Sequence, residues 1–403
     1  MVKQKQSQLE FVGLMAALMS IAALALDALL PALDVIGLAV GTSIPAHNQL
    51  LVTLFFLGLG TGPLLFGPIS DSIGRKPVVY WGFVLFIVAS YICVYAPNFE
   101  MMVFGRILQG ISLAAPRTIS IAMIRDCYSG DYMARIISFV TVVFIIIPII
   151  APALGKTIFD FWGWEAIFHM QVVFAVLVAF WFWKRQPETL EVRNRRSFRF
   201  GVFYNGYKEL LGYRQTMLFT FIWGFITGSF LVYLSTSQQV FQEQYDLKEA
   251  FPYIFAALAL TIGTATLLNG TLVIRYGMLR IVTVALTAFV FIPLVYILLF
   301  FNSANPPFAV ALTFFALQFF AVGFLFGNLR ALAMEPVGHM AGIGAAISGF
   351  IATIMGVPIS AFIGKFVTNS ILPMFVGFLI CGLISFAILG YFYKGRKGIR
   401  SRG

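Results

Sequence analysis

Charged residues and cysteines are scarce in this sequence of 403 residues. Asp, Glu, Lys and Arg make up 11% of it, against about a quarter in soluble domains. The three cysteines, Cys93, Cys127 and Cys381, are scattered and have neither a disulfide framework nor a metal-ligand spacing. The sequence contains no H-E-x-x-H, no G-x-S-x-G and no phosphate-binding loop. These absences exclude a soluble domain, argue against an enzyme, and lead us to expect no metal and no cofactor.

Long apolar runs dominate the sequence instead. Hydrophobic residues make up 60% of it, and the mean hydropathy is +0.92. Runs of about 20 such residues span a bilayer as helices, and these runs lack the period-two alternation of barrel strands. Twelve helices are predicted, at 11–33, 46–67, 77–96, 101–124, 135–158, 164–184, 215–238, 251–274, 279–301, 306–333, 341–367 and 371–393. The sequence therefore predicts an all-α integral membrane protein whose first run, without a cleavage site, is retained.

The placement of basic residues predicts the orientation of these helices. With both termini inside, most of the 27 Lys and Arg residues fall in cytoplasmic segments, above all in the stretch 185–214 and the C-terminal tail. Cytoplasmic loops of membrane proteins carry such an excess, so both termini are expected to be cytoplasmic. The net charge of +11 is expected to serve contacts with the lipid bilayer. Nucleic-acid binding is not expected, because no soluble domain is available to carry it.

The chain is predicted to consist of two halves. The polar stretch 185–214 is a cytoplasmic linker between an N-terminal six-helix bundle, 1–184, and a C-terminal six-helix bundle, 215–403. We expect the two bundles to be related by pseudo-symmetry.

Glycines mark corresponding loops in the two halves. Gly67 and Gly74 flank the loop after the second helix, and Gly270 and Gly277 flank the loop after the eighth, with Ile274 where the first loop has an acid. Repeated halves with interrupted helices are typical of transporters that work by alternating access, with a substrate site near mid-membrane.

Several motifs resemble those of the major facilitator superfamily. The loop Gly67-Pro-Ile-Ser-Asp-Ser-Ile-Gly-Arg-Lys-Pro77 resembles the G-x-L-x-D-R-x-G-R-K/R pattern between helices 2 and 3, with Ser72 replacing the first Arg. Arg106-Ile-Leu-Gln-Gly110 resembles the R-x-x-Q-G motif of drug exporters, and Pro148-Ile-Ile-Ala-Pro-Ala-Leu-Gly155 resembles their antiporter motif. Leu26-Asp27-Ala-Leu-Leu-Pro31 is similar to a segment of the Bcr/CflA subfamily of drug/proton antiporters.

The resemblance implies a function and a location. It implies a proton-coupled secondary transporter that exports a small organic molecule, a drug or a metabolite, across a bacterial inner membrane by alternating access. The expected partners are this substrate, protons and the bilayer, and the protein is expected to be a monomer. Export or proton-symport import of an anionic substrate such as a carboxylate siderophore is the alternative, and a passive facilitator stays open as well.

Charged residues inside the predicted helices are the candidates for proton coupling. Placing such a group in hydrocarbon costs at least about 2.5–3.5 kcal/mol, so each one calls for a reason. Asp27 is the leading proton carrier, since a carboxyl group in such surroundings can exchange its proton near neutral pH. Asp34, two turns further on, is a second candidate, and Arg106 is implied by the resemblance to tune the coupling. The alternatives are a permanently paired Asp27, a solvated Asp34 at the helix end, and an Arg106 that reaches for lipid headgroups.

Further polar residues within the helices are candidates for substrate binding. They are Arg117, Arg330, Gln109, Asn328, Lys156 and Lys365. The surplus of positive charge favours an organic anion over a lipophilic cation. The alternatives are lysines that extend to the membrane interface and amides that join packed helices.

A third set of residues is expected to control the conformational change. This set comprises Gly67, Asp71, Gly74, Arg75, Arg125, Asp126, Pro148, Pro152 and Gly155. The resemblance implies that the charged members form a cytoplasmic cluster that locks one state of the transporter. The alternative is that these charges only determine topology.

Overall fold

The structure is a computed structural model that describes residues 7–42, 44–128, 130–195, 200–301 and 305–400. The chain forms two compact units, Met1–Arg199 and Phe200–Gly403. The boundary between them falls inside the predicted linker 185–214.

The first unit consists of helices only, over its described residues. Its α-helices are α1 (Gln8–Asp27), α2 (Leu33–Ala39), α3 (Pro45–Ile73), α4 (Arg75–Val94), α5 (Phe99–Cys127), α6 (Gly130–Trp162) and α7 (Glu165–Arg185). Short 3₁₀ turns lie at Leu30–Ala32 and Val192–Asn194. Helix α5 packs against α3, α4 and α1, and α6 packs against α1 and the 3₁₀ turn that follows it.

The second unit repeats this all-helical architecture over its described part. Its α-helices are α8 (Phe200–Gly212), α9 (Arg214–Gln238), α10 (Phe251–Tyr276), α11 (Met278–Phe300), α12 (Phe308–Met334), α13 (Ala341–Gly364) and α14 (Leu372–Arg400). A π-helical stretch, Gln239–Gln244, extends α9, and a 3₁₀ stretch, Glu335–Met340, follows α12. The most extensive packing in this unit joins α9 to α13 and α11 to α12.

Eleven helical segments of the described residues are long and apolar enough to cross a membrane. Each coincides with one of the predicted runs. The remaining predicted run, 135–158, lies inside the 33-residue helix α6, part of whose side chains fall outside the described set. The prediction of an all-α membrane protein is confirmed.

The prediction of one continuous helix over 11–33 is wrong, because the structure divides this run into two helices. Helix α1 ends at Asp27, the chain turns through Leu30–Ala32, and α2 begins at Leu33. Pro31 gives the reason. It has no backbone N–H to continue the helix, and its ring disfavours α-helical geometry at the preceding residue.

The predicted linker contains a helix that we did not expect. In α8, Gly206 and Leu210 are buried while Lys208 and Glu209 are exposed. A Cβ atom on Gly206 would lie 2.8 Å from the side chain of Ile343 in α13. This stripe of buried residues, one turn apart, is what holds a helix on a packed surface.

Close backbone approach joins α3 and α5. A Cβ atom on Gly58 would lie 2.2 Å from the carbonyl oxygen of Ile107, and one on Gly110 would lie 2.0 Å from that of Phe55. Neither position has room for a side chain. Small residues at a helix crossing are the usual means by which membrane helices pack closely, and this crossing places Arg106, one turn before Gly110, deep inside the first unit.

Candidate functional site

Asp27 lies where the first membrane helix breaks. It is the last residue of α1, and its side chain belongs to the interior, with 4% of the residue exposed. Among the described residues, its carboxyl group has neither a hydrogen-bond nor an ion-pair partner. Burying a carboxylate without such partners is costly. Over the described part of the chain, this finding argues against the alternative of an acid that is permanently paired with an arginine.

The glycine of the predicted antiporter motif contacts Ala28, the residue that follows Asp27. Gly155 of α6 is buried, and a Cβ atom at this position would lie 1.9 Å from the carbonyl oxygen of Ala28. Pro152, one turn earlier in α6, is buried too, and Pro148 is partly buried. The structure therefore brings together two motifs that are more than a hundred residues apart in sequence.

Arg106 is an interior cation that binds backbone carbonyl groups. Only 2% of the residue is exposed. Its Nε donates to the carbonyl oxygen of Leu51 (3.1 Å), and its Nη1 donates to that of Ala25 (3.2 Å). The guanidinium carbon lies 4.6 Å from the centroid of the Phe55 ring. Arg106 therefore joins α5 to α3 and to the end of α1, two residues before Asp27, and it does not extend to lipid headgroups.

Gln109 completes the surroundings of Arg106. Its Oε1 accepts a hydrogen bond from Arg106 Nη1 (2.7 Å), and its Nε2 donates to Ser90 Oγ (2.8 Å). Ser90 Oγ in turn donates to the carbonyl oxygen of Phe86 (2.8 Å). Gln109 is fully buried and links α5 to α4. We predicted Gln109 as a substrate contact, whereas this geometry makes it a partner of Arg106.

Asp34 lies apart from Asp27, on α2. It is half-buried, and its Oδ1 accepts a hydrogen bond from Asn48 Nδ2 at 3.4 Å. The structure thus gives the two candidate proton carriers different surroundings, one in the interior and one near a helix end with a polar neighbour.

Three of the four charged members of the predicted control set meet at Arg75, the first residue of α4. Its Nη1 donates to Asp71 Oδ1 (2.5 Å) and to Ser70 Oγ (2.7 Å), and its Nε donates to Asp126 Oδ2 (3.0 Å). Arg125 is exposed and takes no part in this network. The cluster therefore consists of Asp71, Arg75 and Asp126, which tie α3 and α4 to the end of α5.

Glu188 is a member of this cluster that the sequence analysis missed. Its carboxylate accepts hydrogen bonds from the backbone N–H groups of Arg75 and Lys76, each 3.0 Å long. It also accepts from the N–H groups of Thr189 and Leu190, again at 3.0 Å. A carboxylate at a helix N-terminus satisfies free donors and complements the helix dipole. Glu188 and Arg75 are 113 residues apart, so no local sequence pattern predicts that Glu188 caps α4.

Gly74 makes this cap possible. Its φ of +112° favours glycine, and a Cβ atom there would lie 2.7 Å from Glu188 Oε2. Gly67 has open space around it, with no atom within 4 Å of an added Cβ. The two glycines that flank the loop therefore differ, and only Gly74 is required by its geometry.

The predicted substrate residues are divided between the two units. In the first unit, Arg117 is half-buried on α5, and Lys156 of α6 pairs with Asp160 at 2.9 Å. In the second unit, Lys365 is exposed at the end of α13. The pairing of Lys156 with an acid one turn away gives this lysine a local structural partner.

Two further predicted residues lie on α12. Asn328 is buried, and its Nδ2 donates to Asn269 Oδ1 (2.7 Å) and to the carbonyl oxygen of Phe324 (2.8 Å). Arg330 is exposed, with its guanidinium carbon 5.9 Å from the centroid of the Trp223 ring. Asn328 thus joins α12 to α10, whereas Arg330 presents its charge beside an aromatic face. Sequence reasoning missed Trp223 and Asn269, because no spacing connects them with α12.

Metal binding finds no support in the described part of the chain. No three His, Cys, Asp or Glu side chains there come together in a group that would hold an ion.

Comparisons with known proteins agree with the predicted fold. A family model described as Major Facilitator Superfamily matches residues 15–357. A "Bicyclomycin resistance protein homolog" of Haemophilus influenzae is 27% identical over 372 residues, which cover 89% of both chains. The "Uncharacterized MFS-type transporter YdgK" of Bacillus subtilis is 28% identical over 351 residues, 85% of both chains. The crystal structure of a D-xylose-proton symporter, 13% identical, superposes with a TM-score of 0.71 over 94% of this chain and 96% of the other. These similarities confirm the fold and the resemblance that the motifs predicted.

Proposed function

Because the chain belongs to the Major Facilitator Superfamily and is a secondary transporter, not an enzyme, we propose that it exports a small organic molecule in exchange for protons. The export takes place across a bacterial inner membrane by alternating access. The resistance named for the Haemophilus relative supports a drug as the exported compound. The similarity to this relative covers 89% of both sequences, which is the basis for carrying drug export over to this chain.

The buried carboxyl group of Asp27 is the observation that carries the proposal. An acid at the break of a membrane helix, without a described ionic partner, keeps its freedom to bind and release a proton. In the proposed cycle, Asp27 takes up a proton from the outer side and releases it to the cytoplasm. Substrate moves in the opposite direction, and its binding is favoured when the carboxyl group is ionised.

Arg106 is proposed to position the end of α1, which carries Asp27. Its guanidinium binds the carbonyl of Ala25, so a fixed positive charge is held close to the end of α1. Gln109 keeps this guanidinium in place. The close contact of Gly155 with Ala28 would let a movement of α6 reach the same turn.

The cluster of Asp71, Arg75, Asp126 and Glu188 is proposed to lock the loop between α3 and α4 in one state of the transport cycle. Arg75 is largely buried and bonded to two carboxylates, and such a network is costly to break. Release of Arg75 or Glu188 would free the start of α4. This cluster would therefore set the populations of the conformational states and would not determine which substrate is transported.

An anionic substrate is the second candidate, exported or imported with protons. Arg330 supports it, because an exposed guanidinium within a membrane span calls for water or an anion around it. The neighbouring Trp223 ring adds an aromatic surface that also suits flat organic molecules.

Purified protein in proteoliposomes would separate these possibilities. Proton movement on addition of substrate is followed with an internal pH-sensitive dye, using one lipophilic cation, one neutral antibiotic and one polycarboxylate siderophore. Arg330→Gln is compared with Arg275→Gln, which removes an exposed charge of the same unit. Proton movement with the cation or the neutral drug that survives Arg330→Gln supports the drug exporter.

A signal from the polycarboxylate alone, lost in Arg330→Gln and kept in Arg275→Gln, would support the anion transporter instead. The direction of proton movement relative to the loaded substrate distinguishes export from import. Transport of any of these compounds that proceeds without proton movement would contradict proton coupling.

A further inference from the structure

A cavity of about 680 Å³ lies at one end of the second unit, away from the residues proposed for transport. It is bounded by the start of α9, the turn from α10 to α11, the end of α12 and the last turns of the membrane span in α14. Its polar lining comprises Arg214, Gln215, Tyr276, Arg280, Glu335 and Tyr393. Its size is that of pockets that hold small ligands. The predicted orientation puts this end at the cytoplasmic surface of the membrane.

Two arginines give the cavity its charge. The guanidinium of Arg214 lies 4.2 Å from the ring centroid of Tyr391, and that of Arg280 lies 5.5 Å from the ring centroid of Tyr276. Neither guanidinium has a hydrogen-bond or ion-pair partner among the described residues. Each therefore keeps the planar set of N–H donors that matches the oxygens of a phosphate group.

The acid in the cavity wall is already engaged. Glu335 Oε2 accepts a hydrogen bond from Gln215 Nε2 (2.8 Å), which also donates to the carbonyl oxygen of Leu332 (3.1 Å). Glu335 thus faces an amide and not an arginine. The lining keeps an excess of positive charge.

The first turn of α11 also borders the cavity. Gly277, Met278 and Leu279 belong to its lining, and Gly277 precedes the helix with a φ of +77°. The first N–H groups of a helix have no partner inside it and carry partial positive charge. No described side chain caps them.

The first unit contains the same arrangement with an anion in place. There, Gly74 precedes α4 with a φ of +112°, and the carboxylate of Glu188, which follows α7, the last membrane span of that unit, accepts from the N–H groups of Arg75 and Lys76. After the corresponding last span of the second unit, residues 394–403 are mainly basic residues and glycines, and no acid is among them. The repeat therefore has an acidic cap in one copy and a cavity lined by arginine in the other.

We propose that this cavity binds a phosphate-bearing anion, which takes the place that Glu188 fills in the first unit. The anion comes from the headgroup of an anionic phospholipid or from soluble phosphate, and Arg214, Arg280 and the first turn of α11 hold it. Its binding stabilises the turn between α10 and α11. This inference does not depend on which substrate is transported.

The test uses the full chain, stripped of lipid in detergent and titrated with phosphatidylglycerol, phosphatidylcholine or inorganic phosphate. Thermal unfolding and native mass spectrometry follow binding. We expect a saturable rise of the unfolding temperature with phosphatidylglycerol and none with phosphatidylcholine. Arg214→Gln or Arg280→Gln should raise the half-saturating concentration roughly tenfold, the effect of one lost charged hydrogen bond. Arg275→Gln, which removes a nearby charge outside the cavity lining, should leave that concentration unchanged.

The ligands distinguish the two sources of the anion. An equal effect of inorganic phosphate assigns the site to a soluble anion, and an effect of phosphatidylglycerol alone assigns it to a lipid headgroup. The proposal is overturned if both lipids act alike, if no ligand binds, or if Arg275→Gln weakens binding as much as Arg280→Gln does. If the Gln variants do not fold, Arg280→Lys replaces them, and it should bind phosphatidylglycerol more weakly than the unmodified protein does. Native mass spectrometry of the unmodified protein should then show a preference for phosphatidylglycerol over phosphatidylcholine, and equal binding of both lipids overturns the proposal.

Discussion

The capping of α4 by Glu188 can be tested by removing its carboxylate. Glu188→Ala abolishes hydrogen bonds from the N–H groups of Arg75 and Lys76 that join two distant parts of the first unit. It also removes two bonds within the segment that carries Glu188 itself. We expect the variant to fold with a lower free energy of unfolding, because donors at the start of α4 lose their only described partner outside the helix.

The expected magnitude follows from the two distant bonds. A hydrogen bond to a charged group contributes about 1.5–3 kcal/mol, and water at the partly exposed loop replaces a share of this. A loss of about 2–3 kcal/mol results, which corresponds to a decrease of roughly 5–10 °C in unfolding temperature for a unit of this size. Glu188→Gln keeps one oxygen acceptor but loses the charge, so about half of that decrease is expected.

Thermal unfolding of the purified variants in detergent measures this effect. Glu191→Ala is the matched control, since Glu191 lies three residues away and pairs with Arg193 at an exposed site. Exposed pairs contribute about 0–1 kcal/mol, so the control should unfold close to the unmodified protein. Equal shifts in Glu188→Ala and Glu191→Ala would refute the assignment of Glu188 as the cap of α4.

Three further predictions concern other parts of the structure. Gly110→Ala should lower the free energy of unfolding by about 1–3 kcal/mol or more, because the added Cβ meets a backbone carbonyl at 2.0 Å. The control Gly67→Ala places its Cβ in open space and should not lower it. Similar unfolding temperatures for the two variants would contradict the close crossing of α3 and α5. Arg106→Lys keeps the charge but not the planar donor set, so we expect a loss of about 2 kcal/mol, and an unchanged unfolding temperature would show that the carbonyl contacts are unimportant. Burial raises the pKa of Tyr245, whose hydroxyl donates to Pro306, to about 12. Because the pKa of an unfolded tyrosine is about 10, the neutral Tyr245 side chain stabilises the fold below pH 10, and this contribution is lost between pH 10 and 12. If the unfolding temperature of Tyr245→Phe decreases over this pH range as much as that of the unmodified protein, the assignment is wrong.

The membrane helices were predictable because the relevant information is local. A run of apolar residues has to be long enough to span a bilayer, and this length is read directly from the sequence. The break after Asp27 also had a local signal in Pro31, which we did not weigh against the hydrophobicity of the run. Helix α8 was missed because its apolar stripe is short and lies in a stretch of high positive charge.

The candidate site was predictable only in part, because many of its contacts involve backbone groups or distant residues. The motifs named Asp27, Arg106 and Gly155, and the structure brings these three regions together. The partners of Arg106 are carbonyl oxygens, which every residue carries, so no residue type reveals them. Glu188 contacts the start of α4 only through the packing of α7 beside it, and nothing in the sequence near either residue indicates their contact.

The central claim is that Asp27 carries the exchanged proton. The most direct measurement compares two kinds of flux in proteoliposomes, namely substrate movement driven by a pH gradient and the exchange of labelled for unlabelled substrate without a gradient. Asp27→Asn should abolish the gradient-driven flux and keep the exchange at saturating substrate, because the neutral amide weakens substrate binding without preventing it, the conformational change survives, and the proton site is lost. Glu100→Gln, which removes an exposed acid from the first turn of α5, should keep both. Gradient-driven transport that persists in Asp27→Asn would contradict the account.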